Sequence, residues 1–114
     1  MEFFTPRKLI FKAWNKETKL LMRLNSIDCK KGELFKKDHI LLQFTGLYDK
    51  QEDEIFEMDV MLIGSEKFLV VWDASRSGWN LARLDNRNKA EPFLKENSGK
   101  TVRLCSFFEA EKIG

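Results

Sequence analysis

Phe68-Leu69-Val70-Val71-Trp72, a polar break at Ser75-Arg76-Ser77-Gly78, and then Trp79-Asn80-Leu81-Ala82-Arg83-Leu84 form the stretch that decides the fold. Both runs are rich in β-branched, aromatic and aliphatic residues, and the serines and glycine between them favour a chain reversal. The pattern predicts an antiparallel hairpin. Along the second run Trp79, Leu81 and Arg83 point one way and Asn80, Ala82 and Leu84 the other, because strand side chains alternate. Neither face is cleanly polar, so both faces of this strand are expected to be partly covered.

Working outward toward the N-terminus, Gly64-Ser65 separates this hairpin from Ile55-Phe56-Glu57-Met58-Asp59-Val60-Met61-Leu62-Ile63, and a two-residue spacing predicts a tight turn. The run from Ile55 to Ile63 reads as one strand with an acid pair at its middle. Ile40-Leu41-Leu42-Gln43-Phe44 is too short for a helix and reads as a buried strand ahead of Thr45-Gly46, with a polar stretch from Asp49 to Glu54. Nearer the start, Lys8 to Trp14 and Lys19 to Leu24 flank a polar turn at Asn15, predicting a second hairpin, after which Asn25 to Lys31 reads as a polar connection ending at Gly32. Toward the C-terminus, Pro92 stands where a short helix would start, over about residues 92–97, with Ser98-Gly99 closing it. Thr101 to Phe107 reads as a final strand. Short strands at spacings of about 8 to 12 residues predict a single mainly β domain over residues 1–114, a small barrel or sandwich, or a β-rich α+β form.

Composition narrows the function classes. With 114 residues, 43% hydrophobic and 33% charged, the chain can close one core. Ten Phe and three Trp against one Tyr supply ring area for that core with few polar edges. Charged residues interrupt every apolar run, so no membrane-spanning helix is expected. Met1 to Arg7 lacks the basic start and apolar stretch of a secretory signal, which makes the cytoplasm the expected address and reduced thiols the expected state of Cys29 and Cys105. Residues 1–31 carry eight Lys/Arg against three Asp/Glu, and residues 32–60 carry three against eight. Such adjoining segments are expected to neutralise each other within one fold, or in a head-to-tail contact between copies.

Three groups of residues carry a resemblance. They are Lys12-Ala13-Trp14-Asn15; Gln43-Phe44-Thr45-Gly46-Leu47-Tyr48-Asp49 with Ile55-Phe56-Glu57-Met58-Asp59-Val60; and Val70-Val71-Trp72-Asp73 with Gly78-Trp79-Asn80-Leu81. The chain resembles the YopX family of phage and prophage proteins, whose members carry an R-A-W-D-like start, Q-x-T-G-L-x-D, I-x-E-G-D-I and V-x-W-D followed by G-F-x-L. Met58 stands where the family has glycine. The resemblance implies a phage or prophage origin and a β-rich barrel like those of SH3 domains, and it implies no activity.

No catalytic or metal motif stands out. A single histidine, His39, leaves no pair of imidazoles for a zinc site, and no phosphate loop or nucleophile elbow is present. Glu57 and Asp59, two apart on one expected strand, would share a face, and with Asp49 and Asp53 could hold a hard cation; a salt-bridged surface is the plainer reading. Gly46 permits a positive φ and Asp49 can bond the following backbone, so Thr45 to Asp49 reads first as a structural turn and second as a recognition loop. Trp72 and Trp79, with Arg76, Arg83 and Arg87, lie on or beside the deciding hairpin. The expectation is a non-enzymatic interaction module with no cofactor, binding a host or phage protein through Tyr48, Asp49, Arg76, Trp79, Arg83 and Arg87. The alternative is nucleic-acid binding, with the rings stacking on bases and the arginines on phosphates.

Overall fold

The computed structural model describes residues 6–113, with side chains to residue 110. The chain is mainly β with short helices, and its principal sheet curls into a half-barrel. Strands β1 (Phe11–Asn15) and β2 (Leu21–Arg23) form the expected first hairpin. Its turn is held by the Asn15 side chain, whose Oδ1 accepts from the amides of Glu17 at 2.9 Å and Thr18 at 3.1 Å.

The connection that follows is not simply polar coil. It contains a small exposed hairpin, β3 (Asp28–Lys30) with β4 (Glu33–Phe35), reversed at Lys31 and Gly32, both of which have positive φ. Two successive left-handed residues match the twist of a two-residue hairpin, which the lysine at the first turn position concealed.

Strand β5 (His39–Tyr48) runs well past Phe44, pairing with β1 on one side and β6 (Glu54–Phe56) on the other. Phe44 pairs with Phe56 and Tyr48 with Glu54, so β5 spends four steps where β6 spends two. That bulge falls at Gly46, whose φ of 85° a side chain would resist.

The run from Ile55 to Ile63 is not one strand. It breaks at Glu57 and Met58 into β6 and β7 (Asp59–Ile63), and Met58 adopts a left-handed φ of 68°. Here the chain passes from one sheet to the other: the Glu57 amide donates to the Gln43 carbonyl of β5, while the Met58 amide donates to the Val70 carbonyl of β8 (Glu66–Asp73). Consequently the four-stranded sheet has the order β2-β1-β5-β6, and the five-stranded one runs from β10 (Ala90–Pro92) through β9 (Gly78–Arg83), β8 and β7 to β11 (Val102–Ser106).

β8 turns at Gly64-Ser65 from β7 and pairs with β9 (Gly78–Arg83), as the deciding stretch predicted. Pro92, expected to open a helix, instead ends β10 (Ala90–Pro92), paired with β9 at the sheet edge where a missing amide costs least. The helix itself, α1, is Lys95–Ser98, and the Asn97 side chain accepts from the Leu94 amide at 2.7 Å. β11 (Val102–Ser106) pairs with β7, and the chain then enters a second helix, α2 (Phe107–Ile113), absent from the sequence reading. Its start was legible in Ser106-Phe107-Phe108-Glu109: the Glu109 carboxylate accepts from the Ser106 amide at 3.1 Å, half of a capping box.

Ile55, Met61, Phe68, Val70, Leu81 and Phe93 form the core cluster, with Trp79 packed against its margin. On the first sheet Trp14 stacks on Phe108, and the Phe44 and Phe56 rings meet at a tilt.

Candidate interaction groove

Facing side chains on β8 and β9 form a row of cross-strand pairs: Phe68 with Arg83, Val70 with Leu81, and Trp72 with Trp79. The middle of this row is core, with Val70 and Leu81 fully buried. At its far end the covering layer stops, and Trp72 is left 48% exposed. Its ring meets that of Trp79 edge to face, centroids 5.0 Å apart at 75°.

A groove of about 570 Å³ opens beside this pair. Its opposite wall is β5, where Leu42 and Phe44 turn into the core and the alternate side chains, Gln43 and Thr45, face the groove. Glu57, at the crossing between sheets, lines it between the two walls, Ser77 and Gly78 border it from the β8–β9 turn, and Arg7 lines it from the N-terminal segment. Thr45 is already engaged, donating to the Ile55 carbonyl at 2.7 Å and accepting from the Leu47 amide at 3.0 Å. Burial pushes the Glu57 carboxyl above its ordinary range, partly offset by the Gln43 backbone.

Of the residues expected to form one interaction surface, Trp79 lies in this groove and Arg76 is exposed in the adjoining turn. The others lie elsewhere. Tyr48 is 49% exposed at the end of β5, edge-on to Phe44. Asp49 is no surface residue: it is 4% exposed, and its carboxylate accepts from the amides of Gln51, Asp53 and Arg103 at 2.8, 2.9 and 2.8 Å. Arg83 is paired with Glu66 at 3.0 Å and Asp85 at 3.2 Å, and those carboxylates hold its pKa up. Arg87 lies over the Phe107 ring, 5.0 Å from its centroid.

The acid pair also separates. Since the chain turns between them, Glu57 faces the groove while Asp59 is buried, accepting from the Phe56 amide and from Arg103 Nε, each at 2.8 Å. Burial raises the Asp59 carboxyl, with Arg103 opposing. Lys12, above the Phe56 ring at 4.4 Å, has its pKa lowered by burial and by Arg103. Among the described residues no three His, Cys, Asp or Glu side chains gather as metal ligands, and no helix is long and apolar enough to cross a membrane.

These features define a small β-rich domain whose two sheets part around a tryptophan-lined groove. The chain belongs to the YopX family, since the family model described as YopX protein matches residues 9–103, most of its length. No curated protein matches it.

Many of the residues that carry the family resemblance fall into two groups. Gln43, Thr45, Glu57, Trp72, Gly78 and Trp79 line the groove. Ala13, Trp14, Asp49, Ile55, Asp59 and Leu81 are buried and hold the fold. Sequence reasoning saw Trp72 and Trp79 as one hairpin but left Gln43 and Glu57 apart from them, because only the turn at Met58 brings the two walls together.

Proposed function

We propose that this protein is a non-enzymatic interaction module of a phage or prophage, engaging a host or phage protein at the Trp72–Trp79 groove inside the bacterial cell. The observation that carries the reading is the exposed end of the aromatic row. Trp72 keeps nearly half its surface in water beside a groove lined by residues of all the family's middle and late motifs. Tryptophan is among the side chains most enriched where proteins meet and most often dominant in binding energy. The test uses Trp72→Ala, because Trp79 packs against the core and its truncation would confound folding with binding. Immobilised protein should retain from a host lysate a specific partner that the folded Trp72→Ala variant loses. Retention unchanged by that substitution would refute the assignment of this face.

Nucleic-acid binding through the same hairpin has less support. Arg83 is already neutralised by two carboxylates, Arg87 lies against Phe107, and Glu57 places a negative group in the groove. A gel shift at two salt concentrations separates the readings, because phosphate-driven binding falls steeply as salt rises.

A further inference from the structure

The groove has a chemical asymmetry that suggests what enters it. One wall presents the Trp72 and Trp79 rings, and the crossing between the sheets presents the Glu57 carboxylate. The ion pairs among the described residues employ Glu54, Glu66, Asp85, Asp59 and Glu109, and Glu57 is in none of them. Arg7 lines the same groove but lies exposed and beyond ion-pair distance of Glu57. A half-buried carboxylate beside two aromatic rings is the complement of a cation that can rest on a ring face and donate to the acid. A guanidinium meets both conditions better than an ammonium, since it is planar, weakly hydrated and donates as a fork.

Resting on the reading of this groove as a protein-binding face, we infer that it receives an arginine side chain of the partner protein, its guanidinium against Trp72 and its donors on Glu57. The volume of about 570 Å³ exceeds one side chain and accommodates the arginine with its flanking backbone. An anionic ligand would meet Glu57, and the one cation lining the groove among the described residues, Arg7, is exposed to solvent.

The test uses the full chain and acetyl-Ala-Arg-Ala-amide, with the same peptide carrying citrulline, which keeps the shape and loses the charge. Binding is followed on the indole N–H signals by NMR, with Trp14, stacked on Phe108, as an internal reference. The arginine peptide should move the Trp72 and Trp79 signals and leave Trp14 in place. Citrulline should weaken binding about tenfold, and Glu57→Gln should do the same to the arginine peptide, the loss expected when one partner of a charge-assisted contact is neutralised. Arg7→Ala, which removes a competing positive charge from the groove lining, should raise the affinity. Equal binding of the two peptides, absence of shifts at Trp72 and Trp79, or loss of binding in Arg7→Ala overturns the inference. The citrulline comparison is made on the wild-type protein, so it does not depend on any variant folding. If a protein partner is lost in Trp72→Ala yet the arginine peptide does not bind, the arginine assignment falls and the interaction module stands. If the peptide binds but partner retention ignores Trp72→Ala, the module reading of this face is the one that fails.

Discussion

Replacing Asp49 with alanine should destabilise the protein severely while leaving the groove's surface chemistry untouched. The carboxylate joins three amides from two distant parts of the chain: Gln51 and Asp53 in the turn it begins, and Arg103 on β11, 54 positions away. The two turn amides belong to exposed residues and can turn to water, at about 0.5 kcal/mol each. The Arg103 amide is partly buried, and an unsatisfied donor there costs about 1–3 kcal/mol. With the charge-assisted character of all three bonds lost, the total comes to about 3 kcal/mol, a large share of the roughly 5–15 kcal/mol that holds a domain together. Asp49→Asn should fall about halfway, because an amide keeps one acceptor oxygen and turns a donor toward the other amide site. Urea denaturation followed by tryptophan fluorescence measures the loss, and hydrogen exchange at the Arg103 amide locates it. Lys50→Ala, at an exposed neighbouring side chain, is the control and should stay within about 0.5 kcal/mol. An Asp49→Ala variant as stable as wild type but deficient in partner binding would refute the reasoning and return Asp49 to a recognition role.

Substitutions at three further positions probe the crossing between the sheets. Met58→Gly should stabilise by up to about 1 kcal/mol, since a left-handed φ costs a side chain roughly 1–2 kcal/mol and glycine's greater unfolded freedom takes back part of the gain; thermal melts of Met58→Gly and the more strained Met58→Val should bracket the wild type. Arg103→Met strands the Asp59 carboxylate and should cost about 3–5 kcal/mol near neutrality. That deficit should narrow in acid, where protonation of Asp59 removes the need for a cation, and urea titrations at several pH values would show it. Glu57→Gln should stabilise the fold near neutral pH. Because folding raises the Glu57 pKa above its ordinary 4.5, the stability this group contributes is fully present below that value and is lost as pH rises through the folded one. Glutamine is indifferent to that change, so its advantage should appear on the alkaline side and vanish in acid. An advantage independent of pH would mean that Glu57 is not desolvated.

The sequence disclosed the hairpins and concealed the crossing, for a physical reason. Runs such as Phe68 to Trp72 and Trp79 to Leu84 lie in register against each other, and local composition together with Gly64 and Gly78 marked where they turn. Met58 is the opposite case: it is apolar, sits inside an alternating run, and adopts a conformation for which glycine is the usual signal. The family's glycine at this position was the clue, because it marks a backbone requirement that Met58 meets under strain. The exposed β3–β4 hairpin escaped notice because its three-residue strands bury none of their side chains and so impose no hydrophobic pattern. The site was half legible, since the Trp72–Trp79 pairing follows from the hairpin register, but its second wall depends on which strands the crossing places together.

That crossing also explains why the family's acidic residues cannot be read alike. Asp49 accepts from three amides, Asp59 from Phe56 and Arg103, and Asp73 from Ser75 and from the Asn80 side chain. The hydrogen bond from the Ser75 hydroxyl is the main reason the Asp73 carboxyl sits below its usual range. Each aspartate therefore closes a turn or ties strands, and its charge is satisfied within the fold. Glu57 has no ion-pair partner among the described residues, and burial disfavours its ionised form. A charge held at a cost to stability beside an exposed tryptophan is the pattern expected of a residue kept for binding rather than folding. Substitutions should thus separate cleanly: removal of the aspartate carboxylates lowers stability first, whereas Glu57→Gln raises stability and lowers affinity, and a Glu57→Gln protein that gained stability with no loss of partner binding would leave the cost of that carboxylate without a purpose.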